Sequence, residues 1–73
     1  MPLISIGQIE INGVVLDETQ QGIPGAVVKI HELNKASVTA LNGEFTFSKI
    51  KKGRYHIHIE SIGYQSFTID TLI

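Results

Sequence analysis

Three groups of side chains in this 73-residue chain are of types that could do chemistry. His56 and His58 stand two residues apart, so on a strand both imidazoles leave from one face, where they could share a metal ion. His31 joins them only if its own strand lies alongside, and a zinc site wants three or four ligands steadied by outer hydrogen bonds. The expectation is therefore a solvated face with no metal, His56 and His58 being the candidates if one binds. Lys49, Lys51, Lys52 and Arg54 place four of the six basic residues around one turn, a local positive patch that could meet phosphate or an acidic partner. The competing reading is a solvated turn whose charges keep a sheet edge from pairing with other chains. No aromatics interleave with it, as a nucleic-acid platform requires.

For nucleophilic catalysis there is no Gly-x-Ser-x-Gly elbow and no Cys, and Asp17, Glu18, Glu44, Glu60 and Asp70 are scattered over turns and outward positions. The pattern assigns no catalytic residue and no cofactor. An intramolecular bond between Lys29 and Asp70 would need both inside the core, and both fall on solvent faces; an intact mass lower by about one water would reveal it.

The bulk properties agree. One core is all that 73 residues can enclose. With 42% hydrophobic and 18% charged residues the chain is globular in composition. Without Cys it must be held by packing and strand pairing alone. A net charge of -1 supplies no global field to attract nucleic acid or an anionic membrane, so partners must be recognised locally. No run of apolar residues is long enough to span a bilayer, and Met1 to Ile6 lacks the basic start and apolar stretch of a signal peptide.

The elements that must position these groups are strands. Ile9, Ile11 and Val15 alternate around Gly13, which predicts a strand with a bulge or close backbone approach near that glycine. Residues 17 to 25 are polar and end in turn chemistry. Ala26, Val28 and Ile30 then form one inward face, and Asn34-Lys35 turns the chain into a run from Ala36 to Ala40. Asn42-Gly43 predicts a type I′ hairpin joining residues 38–40 to 44–47, and Lys51-Lys52-Gly53 a second turn. Arg54 to Glu60 alternates without a fault, Tyr55, Ile57 and Ile59 inward, and Phe67 with Ile69 gives the last strand an apolar side. No helical period occurs. About six or seven short strands, each with one buried face, imply two sheets packed face to face: an all-β sandwich spanning residues 8–73, with 1–7 as a lead-in.

Five pieces in register carry a family resemblance: Gly13-Val14-Val15-Leu16-Asp17; Ile23-Pro24-Gly25-Ala26-Val27-Val28; Thr39 followed by Asn42-Gly43-Glu44-Phe45; Gly53-Arg54-Tyr55; and Ile62-Gly63-Tyr64. Together they resemble the carboxypeptidase regulatory-like domain over residues 8 to 70. The resemblance implies a transthyretin-like β-sandwich and an accessory role, either behind a metallocarboxypeptidase or as the N-terminal extension of a TonB-dependent outer-membrane receptor. The closing Ile-Gly-Tyr is most similar to the receptor group, which would put the domain in the periplasm with protein partners. Two positions depart from the pattern: Ala40 stands where the family often has Asp, and Gly22 where it often has Pro. The first argues against carrying over any metal binding. The motif residues, Gly13, Asp17, Pro24, Gly25, Ala26, Asn42, Gly43, Phe45, Gly53, Tyr55, Gly63 and Tyr64, read first as scaffold, the two tyrosines filling a core edge while their hydroxyls find partners.

Overall fold

A computed structural model describes residues 8–73. The lead-in of residues 1–7 lies outside the described residues. Strands β1 (Gln8–Val14) and β4 (Glu44–Lys51) form one antiparallel pair. Strands β2 (Val27–Ile30), β3 (Lys35–Val38), β5 (Arg54–Glu60) and β6 (Phe67–Leu72) form a second antiparallel sheet in the order β3-β2-β5-β6. The described residues thus make six strands, within the six or seven that the pattern predicts and one short of the about seven that the resemblance implies. The segment between β1 and β2 contributes only an isolated bridge, Leu16 to Gly22. There Asp17 closes the chain on itself instead: its Oδ1 accepts from Thr19 N (2.8 Å), Thr19 Oγ1 (2.7 Å) and Gln21 N (3.0 Å).

Alternation puts Ala26, Val28 and Ile30 of the second sheet against Tyr55, Ile57 and Ile59, all buried, with Val15, Ile23, Phe47 and Ile50 closing the core from the other side. Ile30, Ile50 and Val28 are the largest fully buried side chains, and each such burial contributes about 1.5–3 kcal/mol. Ile50 owes its place to an irregularity. Ile9 pairs with Ile50 and Ile11 with Phe47, so Glu10 faces two residues, Ser48 and Lys49, and Lys49 takes a left-handed φ of 59°. This bulge resets the alternation, which is why Phe47 and Ile50, three apart, both reach the core.

The bulge therefore sits on β4 and not at Gly13. Gly13 serves close approach: the Phe45 ring lies over it, 2.3 Å from where a Cβ would stand. Phe45 in turn meets Phe47 edge-on, centroids 5.9 Å apart at 69°.

Both glycine-bearing turns at the ends of β4 are corners between sheets. Ala40 to Gly43 leads from β3 in one sheet to β4 in the other, and Lys51-Lys52-Gly53 leads back to β5. At the first corner Gly43 N donates to Ala40 O and Ala40 N to Glu44 O, both 2.9 Å. Gly43 alone is left-handed, with φ 84°; Asn42 is not, so the turn is not type I′. It is a tight turn closed by a left-handed glycine. Asn42 Oδ1 accepts from Glu44 N (3.1 Å) and Asn42 Nδ2 donates to the Glu44 carboxylate.

Candidate interaction surface

The strand directions sort the functional side chains toward two ends. Register places Lys51 beside Gln8 and Leu72 beside Arg54 at one end, and Glu44 beside Val14, with Glu60 beside Val27, at the other. All four residues of the basic patch fall at the first end. Gly53 exchanges backbone hydrogen bonds with Ile73 there (3.0 and 2.8 Å), and the buried Tyr55 donates its hydroxyl to Lys51 O (2.7 Å). Arg54 is not free in this patch, since it pairs with Asp70 across the strands at 3.6 Å. That exposed contact is worth little by itself, about 0–1 kcal/mol.

His56 and His58 share the outer face of β5, as their spacing predicts, yet each has separate partners. Both Glu32 oxygens are engaged by His56: Oε1 accepts from His56 N (2.8 Å) and Oε2 from the ring Nδ1 (2.5 Å). Glu32 reaches it because His31–Leu33 forms a 3-10 turn after β2, ended by Asn34 in a left-handed conformation. The ring hydrogen bond holds the Glu32 carboxyl down at about 2 and raises the His56 imidazole. His56 Nε2 lies 4.0 Å from Asp70, and Arg54 opposes the rise. His58 instead meets Thr68 Oγ1 through Nδ1 (2.9 Å) and Glu60 through Nε2 (2.7 Å). His31 and His58 both line a shallow hollow, but Lys29 lines it too. Among the described residues no three His, Asp or Glu side chains gather where they could hold a metal ion. Lys29 and Asp70 are both exposed, and strand β5 separates theirs.

At the opposite end the surface is apolar with acidic neighbours. Leu16, Leu41, Ile62, Tyr64 and Phe67 are all at least half exposed there. This corrects two expectations: Tyr64 does not fill a core edge, and Phe67 with Ile69 gives β6 an apolar face that is not covered. The two-stranded sheet is too narrow to cover a four-stranded one, so alternation aims Phe67 and Ile69 at the interior without the interior extending to them, and Tyr64 lies in the turn before β6. Between the loop after β1 and the segment before β6 lies a cavity of about 180 Å³, lined by the apolar Val15, Leu16, Ile23, Ile59, Tyr64 and Phe67 together with Asp17, Glu18, Ser61 and Gln65. Hydrogen bonds from Gln21 N–H and then the Thr19 hydroxyl hold the Asp17 carboxyl below its usual range.

Sequence reasoning gave no role to the residue that steadies this end. Thr39 is the one buried polar residue among those described. Its hydroxyl donates to Ile23 O (2.6 Å) and accepts from Ala26 N (2.8 Å), while its backbone bonds Gly25 N (3.1 Å) and Ala26 O (2.9 Å), so it fixes the exposed Pro24 and the left-handed Gly25. Alternation does not mark it, since the same face of β3 carries Lys35 and Ser37; its one signal is its place in the motif ahead of Asn42-Gly43. Gly22 and Gly43 complete the support. A Cβ on Gly22 would stand 1.9 Å from Asn42 O, and one on Gly43 2.4 Å from Val15 O. Gly22 is thus required by the corner pressed against it.

Fold and surface together define a small antiparallel β-sandwich whose distinctive features lie at its two ends. The family model described as CarboxypepD_reg-like domain matches residues 11–73, and the chain belongs to that family of regulatory, non-catalytic domains. Searches of curated proteins and of solved structures each returned no match. No helix among the described residues is long and apolar enough to cross a membrane.

Proposed function

We propose that this domain is a protein-interaction module of a TonB-dependent outer-membrane nutrient receptor, standing at the periplasmic N-terminal side of its plug and barrel. The observation that carries an interaction role is the uncovered apolar end, built on a rigid frame of hydrogen-bonded loops. Single exposed apolar residues are ordinary, but a cluster at one end of so small a domain is a contact surface. The receptor setting rests on the likeness of the closing Ile62-Gly63-Tyr64 to that group's pattern. In this setting the domain makes contacts with the rest of the receptor or with a periplasmic partner, and steadies the receptor during energised transport. The second reading, an accessory domain that buttresses a metallocarboxypeptidase or surface protein or binds carbohydrate, draws on the same family. The exposed ring of Tyr64 keeps its glycan branch open, and a glycan array tests it.

The coding sequence downstream of Ile73 separates the two: a plug and barrel supports the receptor, a catalytic domain replaces it. Deleting residues 8–73 from the parent receptor should impair uptake or assembly, and unchanged uptake with normal assembly would refute the role.

A further inference from the structure

We propose that the cavity between the loop after β1 and the segment before β6 is an anchor pocket for a protein segment that inserts one large apolar side chain and carries Lys or Arg beside it. The inference rests on the interaction reading above and names its surface and partner chemistry.

Three observations converge. The floor is already built: Val15, Ile23 and Ile59 are only 5–7% exposed and belong to the core, so an inserted side chain meets packed atoms without any rearrangement. The walls are unspent, since Leu16, Tyr64 and Phe67 each keep 50–52% of their surface in water, an arrangement that favours a contact able to desolvate them. The volume of about 180 Å³ sets the size of the guest. It suits one Leu- or Phe-sized side chain and falls short of the roughly 300–1,000 Å³ that hold a drug-sized ligand.

Charge then selects the neighbours of that side chain. Asp17 and Glu18 line the cavity, and Glu44 and Glu60 belong to the same end, four of the chain's seven carboxylates. None of the six Lys and Arg residues occurs in the loops at this end, residues 15–26, 39–43 and 61–66. Among the described residues neither Asp17 nor Glu18 is in an ion pair. The Thr19 and Gln21 hydrogen bonds fix the Asp17 carboxylate in place, so the rim is preorganised. An anionic lipid surface or nucleic acid is repelled by the same rim, which leaves a basic-flanked peptide as the occupant. Gln8 and Ile73 both lie at the other end, so the pocket sits away from the described chain ends.

The test is a titration of isotope-labelled protein, followed by amide chemical shifts, with a short capped peptide holding a central Leu between Lys residues. Shifts should concentrate in residues 15–18, 23, 59 and 61–67, with a Kd on the order of 1 mM for a lone anchor. Replacing the peptide's Lys by Glu, or its Leu by Ser, should weaken binding about tenfold, as should Tyr64→Ser in the protein. Glu18→Lys, on an exposed site that leaves the fold intact, should shift the preference toward the Glu peptide. No shifts at millimolar peptide, or equal response to the Lys and Glu peptides, would overturn the pocket. Such a failure alongside impaired uptake on domain deletion would remove the pocket and leave the accessory role. Peptide binding alongside unimpaired deletion would do the reverse.

Discussion

The two ends of this sandwich are made by the same device, a glycine-bearing turn that carries the chain from one sheet to the other, and they present opposite surfaces. At the end holding Ala40 to Gly43 the turn is clamped backbone to backbone against Gly22 and Val15, and apolar side chains remain in water around it. At the end holding Lys51 to Gly53 the turn is held by Ile73 and the Tyr55 hydroxyl, and lysines cover it. The difference teaches that exposure of apolar residues here is not loose construction. The end with the greater apolar exposure is also the one with the tighter backbone packing and the buried Thr39 network, as expected where a surface must be held ready for a partner.

The sharpest way to break that contrast is to add one methyl group at each corner. Gly43→Ala combines a left-handed backbone with a collision against Val15 O, and should cost about 3 kcal/mol in urea unfolding. Gly53→Ala meets only the Tyr55 side chain, its hydroxyl at 3.4 Å and its ring at 3.5 Å, and should stay within about 1 kcal/mol. Equal losses would mean the two corners are not built differently. Next in size is Thr39→Val, which keeps the shape and strands the Ile23 carbonyl and Ala26 N–H. A loss of about 2 kcal/mol is expected, read from the same unfolding midpoint.

A smaller, pH-dependent effect distinguishes the outer face of β5 from both ends. Glu32 is depressed to about 2 from 4.5, so its share of stability is present above 4.5 and fades as pH falls toward 2. His56 is raised, so its share is complete below its ordinary 6.5 and fades as pH rises through the higher folded value. The contact is therefore strongest between about 4.5 and 6.5. Glu32→Gln should lower the His56 midpoint in a proton NMR titration and flatten that optimum, and an unmoved midpoint would deny the contact. Smallest of all, Lys51→Glu with Lys52→Glu should change stability by no more than about 0.5 kcal/mol.

How much of this was legible in the sequence follows from what alternation encodes. It fixed the inward faces of β2 and β5 correctly, Ala26, Val28 and Ile30 against Tyr55, Ile57 and Ile59, because both strands are regular and lie at the centre of the wider sheet. It missed Ile50, since the Ser48–Lys49 bulge shifts phase without glycine or proline to mark it. It overstated the burial of Phe67 because a period of two tells which way a side chain faces, and says nothing of whether a second layer covers it; Tyr64 lies in the turn before β6, outside any alternation, and an amphipathic ring there suits a core edge and a water-facing surface equally. The Asn42-Gly43 signal located a tight reversal but not its type or that it joins two sheets. The Glu32–His56 contact links residues 24 apart through a 3-10 turn with no helical pattern to announce it. The pocket was unreadable for the same reason: its floor, walls and rim come from segments brought together only by the fold.

The central claim is that the apolar side chains at the acidic end serve contact and not the core. It is tested most directly by urea unfolding of a Leu16→Ser/Tyr64→Ser double variant beside Ile50→Ala, whose fully buried site should cost about 2–5 kcal/mol. The account predicts that the double variant loses less stability than the single core substitution while its peptide-induced shifts vanish. A double variant that loses more than Ile50→Ala, or that still binds the Leu–Lys peptide unchanged, would contradict it.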